Sequence, residues 1–149
     1  MSDIRELRDL YQETILEHSK KPRNYGELAS ANHKAEGYNP LCGDHYTVFV
    51  NMKDGAIQEI TFHGAGCAIS KASASMMTQS VKGKNQEDAE KLFSLFHDLV
   101  TGNGNTDDLG KLAVFAGVSE YPLRVKCATL AWHTMRAALR GEEQAVSTE

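Results

Sequence analysis

Apolar and polar residues alternate over two consecutive segments, HYTVFVNM at 45–52 and AIQEITFH at 56–63. A period of two residues places every second side chain on the same face of a β-strand, so the pattern predicts two strands. Asp54-Gly55 stands between them, a pair that favours the tight turn of a β-hairpin. The first half of the chain therefore predicts an antiparallel sheet, with one further short strand expected near residues 33–38. The apolar faces comprise Tyr46, Val48, Val50 and Met52 in the first strand, and Ile60 and Phe62 in the second.

Outside the sheet, apolar residues recur every three or four positions, which is the spacing of a helix with one buried face. The predicted helices cover residues 4–18, 67–81, the segment between Asn85 and Gly102, 108–116, and the segment from Pro122 to Gly141. Asn85 suits a helix N-cap, and Gly102 and Gly141 suit helix ends. The expected buried stripes are Leu92, Leu95, Phe96 and Leu99 in the third helix, and Val125, Ala128, Trp132, Met135 and Leu139 in the last.

Composition and charge narrow the function classes. The chain has 149 residues, of which 41% are hydrophobic, enough for one domain with its own core. No stretch approaches the roughly 18 consecutive apolar residues of a membrane-spanning helix, and the charged N-terminal sequence is not that of a secretory signal. A net charge of −4 with mixed signs disfavours nucleic acid as a partner. We therefore expect a single cytoplasmic domain over 1–149, with a flexible tail at about 141–149 and no nucleic-acid or membrane partner.

Three cysteines and one aspartate stand at the ends of predicted elements. Cys42 and Asp44 precede the first clear strand, Cys67 begins a helix, and Cys127 lies in the second turn of the last helix. An odd number of cysteines in a reducing compartment favours thiols that are free, buried, catalytic or metal-bound. Three thiolates and one carboxylate make the four ligands of a tetrahedral zinc ion, although the gaps between them match no zinc-finger spacing.

The charge of such a site requires compensation. Zinc with three thiolates and a carboxylate carries a formal charge of about −2, so cations or hydrogen-bond donors are expected nearby. Arg124 and Lys126 beside Cys127, and Lys71 one turn after Cys67, are the candidates. Two other interpretations of the cysteines stay open at this point. They could be small apolar core residues, or one could pair with His45 or His63 as a catalytic base.

Three motifs carry a family resemblance: NPLCGD at 39–44, GAGCAISKASASMM at 64–77 and RVKCATLAW at 124–132. In order and local context they resemble the cysteine motifs of the IscU/NifU N-terminal iron–sulfur cluster assembly family. The resemblance extends over most of residues 4–140.

Within that family, the chain is similar to the SufU branch in two respects. Lys126 stands where scaffold-type IscU members have a histidine, and extra sequence between Lys82 and Tyr121 separates the second and third cysteines. The proline-rich chaperone-docking motif of the scaffold branch is not recognisable, because YPLRVKC contains only Pro122.

The resemblance implies a fold, a metal site and a role. The implied fold is α+β, a small antiparallel sheet of about three strands covered by helices, with the site at one end. The resemblance implies a zinc ion held by Cys42, Asp44, Cys67 and Cys127. It also implies that Cys42 accepts persulfide sulfur from a PLP-dependent, SufS-type cysteine desulfurase that works with downstream Suf cluster-assembly proteins, as a sulfurtransferase would. Arg124 matches an arginine of SufU-like members and is expected to help dock the partner or balance charge, with Lys126 beside it.

Two alternatives to sulfur transfer remain. The same four side chains could serve as a scaffold on which a transient [2Fe–2S] cluster is assembled. A thiol-based redox enzyme would use one reactive cysteine and no metal. Metal content and a desulfurase assay separate the three.

Overall fold

The computed structural model describes residues 13–103, 108–142 and 145–148. Its sheet has the strand order β3-β2-β1-β4, in which β1, β2 and β3 pair antiparallel and β4 pairs parallel with β1. The strands are β1 His33–Asn39, β2 Asp44–Lys53, β3 Ala56–Ala65 and β4 Val146–Ser147. The helices are α1 Glu13–Lys20, α2 Ala68–Val81, α3 Gln86–Val100, the 3-10 helix η1 Gly110–Glu120, and α4 Pro122–Arg140. The fold is thus the predicted α+β architecture.

The alternating segments form the hairpin that the sequence predicts. Asp54 and Gly55 have φ angles of 54° and 78°, the left-handed values that a two-residue hairpin turn of this kind requires. The short strand expected near residues 33–38 is confirmed as β1. One face of the sheet is buried beneath the helices, which is why its apolar residues alternate so regularly. Its central members are Tyr46, Val48, Val50, Ile60 and Phe62.

Helix α4 lies at the centre of the molecule. It packs against α2, α3 and η1 as well as β1 and β2. Because neighbours surround it, α4 is buried on most sides from Cys127 onward, including Thr129, Ala131 and Thr134. The single apolar stripe that the sequence predicts is therefore too narrow. Its Trp132 is fully buried and stacks on Phe96 of α3, with ring centroids 4.5 Å apart.

Two other helices differ in detail from the prediction. Helix α3 begins after Asn85, whose side chain accepts a hydrogen bond from Asp88 N, as a predicted cap should. Its buried face includes Phe93, while Leu95, predicted to be buried, is exposed. The segment predicted as a short helix at 108–116 is the longer 3-10 helix η1. Its buried residues recur every third position, the repeat of a 3-10 helix: Leu112, Phe115 and Val118.

Both ends of the described chain differ from the sequence prediction. Of the helix predicted at 4–18, residues 4–12 lie outside the described residues, and α1 continues to Lys20. In the tail expected to be flexible, Val146–Ser147 pairs with Gly37 and Tyr38 as a fourth strand, one more than expected. A strand of two residues is too short to show an alternating pattern, and it occupies an edge of β1 that would otherwise be open. Among the described helices, none has the length and apolar character needed to cross a membrane.

His133 gives the fold a predicted pH dependence. It packs edge-on against Phe93 at 5.0 Å, and its burial, with Arg136 and His97 nearby, lowers the pKa of His133 to about 4. An unfolded histidine titrates near 6.5, so between these values the unfolded state binds more protons than the folded state. We expect the free energy of unfolding to fall as the pH is lowered from about 6.5 towards 4. Urea unfolding of wild type and His133→Gln across this range measures the effect. An unchanged pH slope in the variant would contradict it.

Candidate metal centre

The turn between β1 and β2 positions the first two candidate ligands. Asn39, the last residue of β1, pairs with Asp44, the first residue of β2, and Cys42 lies in the turn that joins them. The Cys42 amide donates a hydrogen bond of 3.2 Å to the Asn39 carbonyl. Gly43 follows with a φ of +74°, a conformation that favours glycine. The sequence predicts that Asp44 precedes the strand. In the structure Asp44 is the first residue of β2, one position before the alternating segment begins.

Cys67 is held at the start of α2, as the sequence predicts. It is the N-cap residue, and its Sγ accepts a hydrogen bond of 3.4 Å from Ser70 N. Its own amide donates a bond of 2.9 Å to Asp44 Oδ1. The backbone and side chain of Cys67 are thus both fixed by their neighbours.

Cys127 is fully buried in the second turn of α4 and completes the convergence. Donor atoms of Cys42, Asp44 and Cys127 all lie within 4.8 Å of one another. Two ligands of one tetrahedral zinc ion are about 3.8 Å apart, so these residues fit such an ion with small adjustments. Cys67 is not one of this group of three, but it lies next to it, because its amide is bonded to Asp44 Oδ1. The structure therefore brings three of the four predicted residues together, Cys42, Asp44 and Cys127, with Cys67 beside them.

The Asp44 carboxylate is buried within a network of donors. Its Oδ1 accepts hydrogen bonds from Cys67 N and, at 3.2 Å, from Ser70 Oγ, while Oδ2 accepts one of 3.2 Å from Asn39 Nδ2. Tyr46 OH lies 2.9 Å from Ser70 Oγ, and burial raises the pKa of Tyr46 above its usual range. The phenol therefore stays protonated and can support Ser70 as a donor. This network fixes the orientation of Asp44.

The thiols of the centre compete for negative charge. The hydrogen bond from Cys127, assisted by the Ser70 amide, lowers the pKa of Cys67 to about 6. The same bond, together with burial, raises the pKa of Cys127 above its usual range. The metal-free group thus favours one thiolate and one thiol rather than two adjacent anions. A divalent cation removes this restriction, because it favours deprotonated thiols as ligands. The donor set is therefore suited to a metal ion.

The basic residues predicted to support the centre lie close to it in the chain. Arg124 and Lys126 are in the first two turns of α4, and Lys71 is in the first turn of α2, where its amide donates to the Cys67 carbonyl. All three side chains are partly exposed. Their roles in charge balance or docking stay predictions.

The two histidines proposed as a catalytic base are on the other face of the sheet. His45 alternates with the inward-facing Asp44 and Tyr46, stacks on Tyr38 at 4.2 Å and faces Glu36 at 3.5 Å. His63 is likewise exposed, next to Tyr25. This placement argues against a Cys–His catalytic pair.

Sequence reasoning missed Asn39. Its side chain is fully buried, and its Nδ2 contacts both Asp44 and, at 3.5 Å, Cys127 Sγ. A signal was available, because Ala35, Gly37 and Asn39 alternate on the buried face of β1. A polar side chain at the end of a buried face, five residues before the aspartate that opens the next strand, indicates a hydrogen-bonding role.

Comparison with known proteins shows the family to which the chain belongs. Residues 10–139 match the NifU-like N terminal domain family. The chain is 39% identical over 145 residues to the zinc-dependent sulfurtransferase SufU of Bacillus subtilis (strain 168), covering 96% of this chain and 98% of that protein. It is 38% identical over 139 residues to the iron–sulfur cluster assembly scaffold protein IscU of Streptococcus pyogenes serotype M1, covering 92% of this chain and 87% of that protein.

Solved structures share the fold. The crystal structure of FiSufU from Fervidobacterium islandicum AW-1 superimposes with a TM-score of 0.83 at 33% identity, covering 89% of this chain and 98% of that one. A NifU-like N-terminal protein from Brucella abortus gives a TM-score of 0.83 at 25% identity, covering 91% and 96%. The family match spans most of the chain, and these relatives align with it nearly end to end. The chain therefore belongs to the NifU-like N-terminal domain family of iron–sulfur cluster assembly proteins.

Proposed function

We propose that this protein is a zinc-dependent sulfur acceptor for iron–sulfur cluster assembly in the cytoplasm. It takes persulfide sulfur from a PLP-dependent, SufS-type cysteine desulfurase for use by downstream Suf proteins. The supporting observation is the unequal setting of the three thiols. Cys127 is buried and Cys67 is fixed as a helix cap, whereas Cys42 lies on a turn beside Gly43. Cys42 and Cys67 are both partly exposed, and of the three cysteines Cys42 is the one that lies on a turn rather than in or at the start of a helix.

The proposed metal ligands are Cys42, Asp44, Cys67 and Cys127. When bound, zinc would keep its cysteine ligands deprotonated at neutral pH and draw them together. Asp44 suits an exchangeable site, because a carboxylate oxygen holds zinc less firmly than a thiolate does. Arg124 and Lys126 would offset the negative charge of the ligand set and face an arriving partner.

The sulfur transfer itself requires only thiol–persulfide exchange. The Cys42 thiolate attacks the outer sulfur of the donor's persulfide, and a new S–S bond forms at Cys42. The S–S bond of the donor breaks, and its electron pair leaves with the donor's cysteine as a thiolate. The proton of the persulfide stays with the transferred sulfur. No net oxidation or reduction occurs, so the step needs no further reactant.

The turn that carries Cys42 suits a residue that must move. The hydrogen bond from the Cys42 amide to the Asn39 carbonyl is 3.2 Å long. Open space surrounds the position that a side chain at Gly43 would occupy. A turn of this kind can change conformation without disturbing the packed helices that hold Cys67 and Cys127. The proposal therefore assigns the moving part of the reaction to Cys42.

A second candidate function is a scaffold for a transient [2Fe–2S] cluster. It is favoured by the 38% identity to a protein named as an IscU scaffold, and it would use the same ligands. Iron–sulfur clusters are held by cysteine thiolates, which this centre also provides.

Metal analysis together with a desulfurase assay distinguishes the two functions. The protein is purified without added metal, and its zinc, iron and visible absorption are measured. A cysteine desulfurase is then assayed with and without it. Sulfur transfer predicts one zinc per chain, a colourless protein and marked stimulation. A brown, iron-containing protein that leaves the desulfurase unaffected would refute sulfur transfer and support the scaffold.

The rim of the centre offers a further prediction. Leu41 and Leu123 are each 59% exposed, and they flank the site, because Leu41 precedes Cys42 and the Leu123 carbonyl accepts a hydrogen bond from Cys127 Sγ. A desulfurase whose persulfide reaches Cys42 must cover this rim. We expect Leu123→Glu to raise the concentration for half-maximal stimulation about tenfold, equivalent to about 1.4 kcal/mol of binding free energy.

The control is Leu95→Glu, which places the same charge on α3, a helix that contributes no ligand. A glutamate at position 123 suits the first turn of α4, so the fold should be retained. Zinc content is checked in both variants. Equal effects of the two substitutions would contradict a contact specific to the rim.

A further inference from the structure

Asn39 is the last residue of β1, and its side chain is completely buried beneath the metal centre. Its Nδ2 lies 3.2 Å from Asp44 Oδ2 and 3.5 Å from Cys127 Sγ, so its two hydrogens can each serve one ligand. Its Oδ1 is buried with no hydrogen-bond partner among the described residues. The side chain therefore donates twice and accepts nothing.

We propose that Asn39 is a positioning residue of the metal centre. Its amide group bridges Asp44 and Cys127. It sets the separation of these two ligands when Cys42 has left the metal to accept sulfur. This inference rests on the proposed function for its account of Cys42, but the bridge itself concerns only metal binding.

An amide is well matched to this position. A carboxamide NH₂ is neutral and carries two donor hydrogens, so it can bind a carboxylate and a sulfur at once. A hydroxyl has a single hydrogen, and a carboxylate would repel both ligands. Hydrogen bonds from such neighbours orient metal ligands and tune their basicity.

The unpaired Oδ1 argues against a purely structural role. A buried acceptor without a partner destabilises a fold, whereas an apolar residue of the same size would fill the space at no such cost. Turning the amide over would not help, because Oδ1 would then face the Asp44 carboxylate and the Cys127 sulfur. The two donor contacts explain why an asparagine stands here.

The bridge also divides the centre into a fixed and a mobile part. The side chain of Asn39 joins Asp44 to Cys127, and Asp44 Oδ1 is joined in turn to the Cys67 amide. Cys42 is linked to Asn39 only through the backbone, by its amide and the Asn39 carbonyl. Its thiol can therefore leave without breaking the side-chain frame that holds the other three ligands.

Zinc affinity, measured by competition with a chelator, tests this role without any desulfurase. We expect Asn39→Leu to bind zinc about 10–100-fold more weakly than wild type, the usual effect of removing a group that orients metal ligands. The loss should be larger when Cys42→Ala is also present, because the frame then holds the metal alone. Asn39→Ser keeps one donor hydrogen and should lie between the two, and it serves as the test if Asn39→Leu does not fold.

A spectroscopic readout separates positioning from general loosening. Cobalt(II) replaces zinc, and its ligand-field and sulfur charge-transfer bands report the geometry of the centre. These bands should shift in Asn39→Leu but not in Asn32→Ala, which removes hydrogen bonds to Met52 at the opposite end of β1. Affinity within about twofold of wild type, unchanged cobalt bands, or equal losses in Asn32→Ala would each overturn the proposal. A failure of sulfur transfer alone would leave this result standing.

Discussion

Cys42→Ala is expected to abolish stimulation of the cysteine desulfurase, returning its rate to that of the desulfurase alone. An alanine has no nucleophile to attack the persulfide, and neither remaining thiol can replace it. Cys127 is buried, and Cys67 is bound by the Ser70 amide at the start of α2. The measurement is the rate of alanine formation at fixed desulfurase, with and without the variant.

A companion measurement identifies the acceptor directly. After reaction with the desulfurase and alkylation, mass spectrometry should find one added sulfur atom on the peptide containing Cys42. Cys127→Ala serves as the contrast, because it removes a buried residue that we propose as a zinc ligand, and it should lower zinc content as well as activity. Stimulation by Cys42→Ala equal to that of wild type would show that another residue accepts the sulfur.

Gly66→Ala is expected to disrupt the hydrogen-bond network that orients Asp44. A Cβ at Gly66 would lie 2.4 Å from Ser70 Oγ, 2.5 Å from Tyr46 OH and 2.6 Å from Asp44 Oδ1. These atoms belong to the network that orients Asp44, so the methyl group must displace at least one of them. Overpacking and a broken buried network together should cost about 2–4 kcal/mol.

The effect of Gly66→Ala should appear in both stability and metal binding. For a domain of this size we expect the melting temperature to fall by roughly 5–15 °C, with weaker zinc retention. Gly117→Ala is the matched control, because the position on η1 has open space for a Cβ. It should change stability by less than about 1 kcal/mol. Similar melting curves for the two variants would refute the predicted clash.

The sheet could be predicted well because one of its faces is buried and the other is not. Because of that contrast, apolar and polar residues alternate along β2 and β3, and Asp54-Gly55 marks the turn between them. The ends of α3 and α4 were likewise predictable, since Asn85 and Gly141 act locally. The breadth of burial along α4 was not, because it depends on the neighbouring helices and strands rather than on the helix itself.

Some features of the candidate site could also be predicted from local sequence, whereas others depend on how distant elements pack. The position of Cys67 at a helix start follows from local sequence, through the glycines before it. That Cys42 and Asp44 approach Cys127 does not follow from spacing, because a hairpin turn and a central helix must first pack together. The family resemblance supplied that information. Asn39 was missed because only one of its two partners, Asp44, is close in the chain, whereas Cys127 lies 88 residues away.

The short strand β4 has a practical consequence for any metal measurement. Thr148 donates hydrogen bonds to the carbonyls of Tyr38 and Lys126, the immediate sequence neighbours of Asn39 and Cys127. A polyhistidine tag fused behind this strand would thus emerge next to the thiolates, and its imidazoles would compete with them for the same ion. Purification handles are better placed at the opposite terminus, or cleaved before stoichiometry is determined.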